Sequence, residues 1–148
     1  MLNKKKVIYA FCIICVSIAI IYAISNRTYY YSLVFENKQG QDLEMSVQSN
    51  KGKSIPFFNI ISVGLSTYTA DFATPPNDLY KISWVVQDNN IYSAQADMRQ
   101  AVSKRFKGYI YFTVDAENNL IYSASHEYRG ASLFKQEAKG TKVENATN

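Results

Sequence analysis

The chain has 148 residues, 47 % of them hydrophobic and 19 % charged. That composition excludes a disordered or collagen-like protein, and the length excludes a large multidomain enzyme, a repeat array or a polytopic membrane protein. Its formal charge of +4 comes from 16 basic and 12 acidic residues, but Lys4, Lys5 and Lys6 supply three of the basic ones. From Asn26 onward 13 basic residues face 12 acidic ones, too small an excess for a nucleic-acid binder.

The first element is an apolar run, Val7 to Ile24, 18 residues without a charge. As a helix it would span about 27 Å, close to the hydrocarbon thickness of a bilayer. The lysines before it keep that end on the cytoplasmic side. Residues 1–25 are therefore expected to form one N-terminal transmembrane anchor, with the remainder exported as a single-pass periplasmic domain. Cleavage competes with retention, because Ile21-Tyr22-Ala23 and Ala23-Ile24-Ser25 place small residues at processing positions. In that case the domain is free in the periplasm. Cys12 and Cys15 lie inside the run, where a thiolate for redox or zinc chemistry has no polar pocket. The exported part has no cysteine and no disulfide staple.

From Tyr29 the hydrophobic pattern changes to period two, the signature of half-buried strands. Twelve Tyr and eight Phe agree with strand structure. Tyr29 to Glu36 predicts a first strand closed by Asn37-Lys38-Gln39-Gly40. Leu43, Met45 and Val47 define a second, turned by Asn50-Lys51-Gly52, and Lys53 to Ile60 a third, which Pro56 confines to an edge or bulge. After Val63-Gly64 a fourth places Tyr68, Ala70 and Phe72 on one face. Pro75-Pro76 stops it. Tyr80, Ile82, Trp84 and Val86 alternate in a fifth, Asp88-Asn89-Asn90 turns into Ile91 to Asp97, and Met98 to Phe106 is a helical turn or crossover. Tyr109 to Asp115 and Leu120 to Ser125 complete the set around Asn118-Asn119. The expected fold is all-β, an antiparallel β-sandwich of about 7–8 strands, immunoglobulin- or transthyretin-like, over residues 26–125. Residues 126–148 are expected to be a polar, disordered tail.

No constellation for catalysis stands out. His126 is the one histidine, at the edge of the expected tail, and Asp71, Asp78, Asp88 and Asp97 lie beside turns or on outward faces where carboxylates are solvated. No phosphate loop, metal-ligand spacing or activated serine is present in the sequence. The expectation is a non-enzyme without cofactor or metal. One feature suggests contact with a partner: Arg99, Lys104, Arg105 and Lys107 surround Phe106 between the sixth and seventh strands. Loops on a rigid sheet carry contacts, and arginine with an aromatic is frequent at interface hot spots. An acidic protein surface is the first partner for this segment and anionic lipid the second. Glu36, Asp42 and Glu44 form a weaker acidic edge.

Several stretches together resemble a known group: Asn37-Lys38-Gln39-Gly40-Gln41-Asp42-Leu43, Phe72-Ala73-Thr74-Pro75-Pro76, Ile82-Ser83-Trp84, and above all Phe106-Lys107-Gly108-Tyr109-Ile110-Tyr111-Phe112. Over Tyr30 to about Tyr122 the chain resembles small envelope-anchored immunity proteins encoded beside type VI secretion effectors, lipase effectors among them. The resemblance implies a tethered periplasmic protein that binds a cognate toxin, such as a phospholipase, and occludes it. It transfers no binding residue. The alternative is a non-catalytic accessory subunit of an envelope complex, a secretion system or pilus.

Overall fold

The computed structural model describes residues 4–25, 29–50, 54–61, 63–64, 66–70, 74–86 and 89–143, with backbone alone at 4–6, 8, 10, 24–25, 54–60 and 66–70. Among these residues there is one helix, α1 (Lys4–Ser25), and ten strands: β1 (Tyr31–Asn37), β2 (Leu43–Ser49), β3 (Ser54–Ile61), β4 (Ser66–Ala70), β5 (Leu79–Val85), β6 (Ile91–Asp97), β7 (Gly108–Val114), β8 (Asn119–Ser125), β9 (Phe134–Lys139) and β10 (Thr141–Val143). They form two five-stranded sheets, ordered β4-β1-β7-β8-β9 and β10-β6-β5-β2-β3. Side chains of both sheets meet in one core, where Phe35, Phe112 and Tyr80 pack ring against ring at 5.8 and 5.7 Å.

The alternation in the sequence became burial. In β2, Leu43, Met45 and Val47 face inward while Glu44 and Gln48 are exposed. In β5, Tyr80, Ile82 and Trp84 are completely buried. Trp84 stacks on Tyr92 at 6.1 Å and donates its indole N–H to Asn118 Oδ1 at 3.2 Å, so it is a core anchor. Pro56 lies in β3, which among the described residues pairs only with β2 and does so with a register shift between Met45 and Val47. A proline that cannot donate is thus accommodated at both an edge and an irregularity.

Three expectations change. The pairing is not purely antiparallel, because β1 and β7 run parallel, Tyr31 opposite Gly108 through Asn37 opposite Val114. Second, the chain from His126 is not a featureless tail: β9 pairs with β8, and β10 crosses to the other sheet and pairs with β6. Its inward positions, Phe134 and Ala138, pack against the core, while Lys135, Glu137 and Lys139 give the outer face of an edge strand its charge, which masks the apolar period. Third, Asp78 is 4 % exposed and not solvated. Met98 to Phe106 is a crossover, as expected, anchored by buried Met98, Val102 and Phe106. Lys51-Gly52, Phe72, Asp71 and Asp88 lie outside the described residues, as do the facing of Tyr68 and Ala70 and everything beyond Val143.

The described side chains of α1 remain uncovered. Tyr9, Phe11, Ile13, Ile14, Val16, Ile18, Ile20, Ile21 and Tyr22 are each more than half exposed, on every side of the helix. Side chains are described without a break only from 11 to 23, and among described residues no helix is long and apolar enough to cross a membrane. The uncharged run of the sequence, Val7 to Ile24, is longer than that stretch.

Candidate functional site

Because β1 and β7 are parallel, the incoming chain at Tyr29-Tyr30, the crossover 98–107 and the β8–β9 loop 126–133 all emerge at one end of the sandwich. This is the end that α1 joins. It is closed by hydroxyls and carbonyls: Tyr31 donates to Thr74 O at 2.8 Å, and Tyr80 Oη lies 3.2 and 3.3 Å from Pro75 O and Pro76 O. Asp78 completes the closure, its Oδ1 accepting from Leu79 N–H at 2.9 Å and its main-chain oxygen from Met98 N–H at 3.0 Å. Its other oxygen is buried with no hydrogen-bond partner among the described residues.

The predicted contact residues separate on this frame. Arg99 is held by Asp97 through a two-pronged contact, Nε to Oδ1 at 2.8 Å and Nη2 to Oδ2 at 2.6 Å. The Arg99 side-chain hydrogen bonds, followed by its backbone N–H, lower the Asp97 carboxyl to about 2, and the same pairing raises the guanidinium further. Lys104 and Arg105 are exposed at the turn of the crossover. Phe106 is 6 % exposed, with its ring 5.4 Å from the His126 ring, and so plugs the loop onto the sheet instead of presenting itself. Lys107 is exposed, its Nζ 5.7 Å from the Tyr30 ring centroid, and its carbonyl contacts His126 Nδ1 at 2.9 Å.

Sequence reasoning missed the surface that Lys107 belongs to. Tyr30, Lys107, Tyr109 and His126 share the lining of a shallow hollow of about 310 Å³. Beyond it Tyr128 packs edge-on against Tyr109 at 5.5 Å, and the Arg129 guanidinium lies 5.3 Å from the Tyr128 ring. Arg129 has φ +55° and donates its N–H to Tyr111 Oη at 2.6 Å, which fixes the loop across the outer face of β7. Burial under that loop pushes the Tyr111 phenol up, against the opposing pull of the Arg129 N–H. Three segments far apart in sequence make this surface, so no local motif marks it. The period-two facing of Tyr109 was the one available sign.

Charge divides by end. Among the described residues, the loops at the α1 end carry Arg99, Lys104, Arg105, Lys107 and Arg129 against Asp78, Asp97 and Glu127, with Asp78 buried and Asp97 paired. The opposite end is nearly balanced, with Asp42, Glu44, Asp115 and Glu117 against Lys38, Lys139 and Lys142. Among the described residues no group of three or more His, Cys, Asp or Glu is placed to hold a metal ion. Comparison with protein-family models and with curated proteins finds no match for the chain.

Proposed function

We propose that the protein is a membrane-tethered periplasmic immunity protein, which neutralises a secreted antibacterial toxin by binding it and covering its active site. The observation that carries this is α1: a helix apolar on all its described sides, uncovered by the sandwich, and joined to it by a few residues. A helix hydrophobic all round needs lipid or protein around it. Together with the longer uncharged run and the lysines before it, this favours an anchor that spans the inner membrane with the sandwich outside. Tethering would raise the local concentration of a binder where a membrane-attacking toxin, a phospholipase for example, works.

The sandwich supports a binding role through its rigidity. Its two sheets share a close-packed core, and such domains present loops as fixed contact surfaces. In this proposal a toxin arriving from the periplasm meets the end remote from α1, where Lys38, Glu44 and Glu117 are exposed. The two-sheet layering supports an immunoglobulin- or transthyretin-like grouping, although the ten strands exceed the expected 7–8 and the parallel β1–β7 pair departs from the antiparallel pattern.

The test is co-expression with the product of an adjacent toxin gene directed to the periplasm. Cells carrying the chain should survive, and the two proteins should purify as a small complex. Survival should fall when Lys38, Glu44 and Glu117 are reversed in charge. Co-purification with several envelope components and no toxin would favour the accessory-subunit role and end this one.

A further inference from the structure

The sequence makes an acidic protein the first partner for the cations of 99–107, but the topology puts those cations in a different place. Ser25 ends α1 and Tyr30 follows five residues later, so the intervening chain spans at most about 17 Å. The polar layer on each side of a bilayer is on the order of 5–8 Å thick. The Tyr30 ring and everything packed beside it are therefore confined close to the headgroups if α1 is in the membrane. What lies beside it is not neutral: Lys107 is over the Tyr30 ring, Arg129 over Tyr128, and Lys104 and Arg105 project from the adjoining loop.

We infer that this end of the sandwich docks on the anionic phospholipid headgroups of the membrane that holds α1. Tyrosines with an apolar body and a polar tip collect at membrane–water interfaces, and Tyr30 and Tyr128 are the exposed aromatics on the described sandwich. Each cation near an anionic surface adds attraction worth roughly fivefold in affinity, falling off within a Debye length of about 8–10 Å. The only unpaired exposed carboxylate of the described loops here is Glu127, because Asp97 is engaged by Arg99 and Asp78 is buried. At the other end Asp42, Glu44, Asp115 and Glu117 offset Lys38, Lys139 and Lys142, so it offers an anionic surface no comparable basic excess. The domain is thus held with its basic end down and its charge-balanced end toward the periplasm, instead of swinging freely on its short connection. The inference rests on α1 being a membrane anchor.

Hydrogen exchange of the full chain in nanodiscs tests both, using phosphatidylglycerol mixed with phosphatidylethanolamine in one set and phosphatidylcholine in the other. Docking predicts that amides of 104–109 and 126–130 exchange about tenfold more slowly in the anionic discs. That protection should disappear with Lys104→Glu, Arg105→Glu and Lys107→Glu combined, or in 0.5 M salt at about a 4 Å Debye length. A chain retained in the disc with the same exchange in both lipids overturns docking alone. A chain that washes off the disc overturns the anchor and docking with it. Protection that appears only when a purified acidic toxin is added assigns the segment to protein and overturns the lipid role.

Discussion

At the end next to α1 the two sheets are closed by tyrosine hydroxyls reaching loop carbonyls, Tyr31 to Thr74 O and Tyr80 beside Pro75 O and Pro76 O. At the far end, side-chain amides and an indole do the same work. Asn118 Oδ1 accepts from Gln39 Nε2 at 2.5 Å and from Trp84 Nε1 at 3.2 Å, and Asn37 Nδ2 donates to Ile61 O at 2.6 Å and Gln41 O at 2.9 Å. Both solutions satisfy buried polar groups, Asp78 Oδ2 excepted, but they leave different surfaces. Closure from within by phenols frees the α1-end loops to display cations and rings. Amide closure draws the far loops inward and leaves charges of both signs at their edges.

Each end also depends on a glycine, and these positions give the largest expected effects. Gly108 has φ +150°, and a Cβ there would overlap Ser125 O and approach Phe106 Cζ to 2.9 Å. Gly108→Ala should cost about 3–4 kcal/mol, from strain in a conformation side chains rarely adopt plus overpacking at the start of the central strand β7. Gly140 sits where the chain leaves β9 for β10, and a Cβ would overlap Asn118 O and come within 2.7 Å of Trp84 Cζ2. Gly140→Ala should cost about 2 kcal/mol and act locally, releasing the three residues of β10. Denaturant titration should rank the two in that order, with exchange at 141–143 rising selectively in the second. Equal losses would mean that the ends are one cooperative unit.

The next effect belongs to Asn118, which has φ +63° and supplies the shared acceptor. Asn118→Gly keeps the backbone free but strips Gln39 and Trp84 of their partner, for an expected loss of about 1–2 kcal/mol. Asn118→Ala adds the left-handed penalty of about 1 kcal/mol more. Tyr31→Phe, the counterpart at the other end, should cost about 1 kcal/mol in the same titration. A larger loss there would show that the hydroxyl cluster, and not core packing, dominates that end.

These two ends were unequally visible in the sequence. Strands β1 to β8 all announced themselves, through an apolar face every second residue or a bounding turn rich in Asn, Gly, Asp or Pro. Asn118-Asn119 is the clearest, its αL residue sitting where the turn was expected. The parallel β1–β7 pairing carries no local signal, since it joins residues 77 apart, such as Ser32 and Tyr109. Strand β9 was hidden because its outward Lys135, Glu137 and Lys139 resemble a solvated tail, and recognising it needs the core that Phe134 and Ala138 complete. The cation cluster at 99–107 was plain as composition. That Phe106 is its buried plug, and that Tyr30, Tyr128 and Arg129 extend it, follows only from the fold.

Removing charge from the α1 end should leave stability almost untouched. Lys104→Ala lies on an exposed side chain of a turn, so its effect on unfolding should stay within about 0.5 kcal/mol. That separates this end from the glycines and Asn118, and it makes this variant a clean probe of contact with lipid or toxin. A large destabilisation would instead tie the cations to the fold.

The smallest effect is that of pH on the Asp97–Arg99 pair. Asp97 is lowered from 3.8 to about 2, first by the Arg99 side chain and then by its N–H. A depressed carboxyl contributes stability that is fully present above its unfolded value near 4 and is lost as pH falls toward 2. Both side chains are about half exposed, 55 % for Arg99 and 44 % for Asp97, so solvent screens most of the attraction. Wild type and Asp97→Asn should therefore unfold alike at pH 2, with the wild type very slightly more stable above pH 4. A sizeable gap at neutral pH would show that Asp97 also positions the crossover, because its Oδ1 accepts the Arg99 N–H at 3.1 Å as well. The Arg99→Lys variant discriminates: it keeps the backbone bond and a cation while removing the two-pronged contact, so only a positioning role survives it.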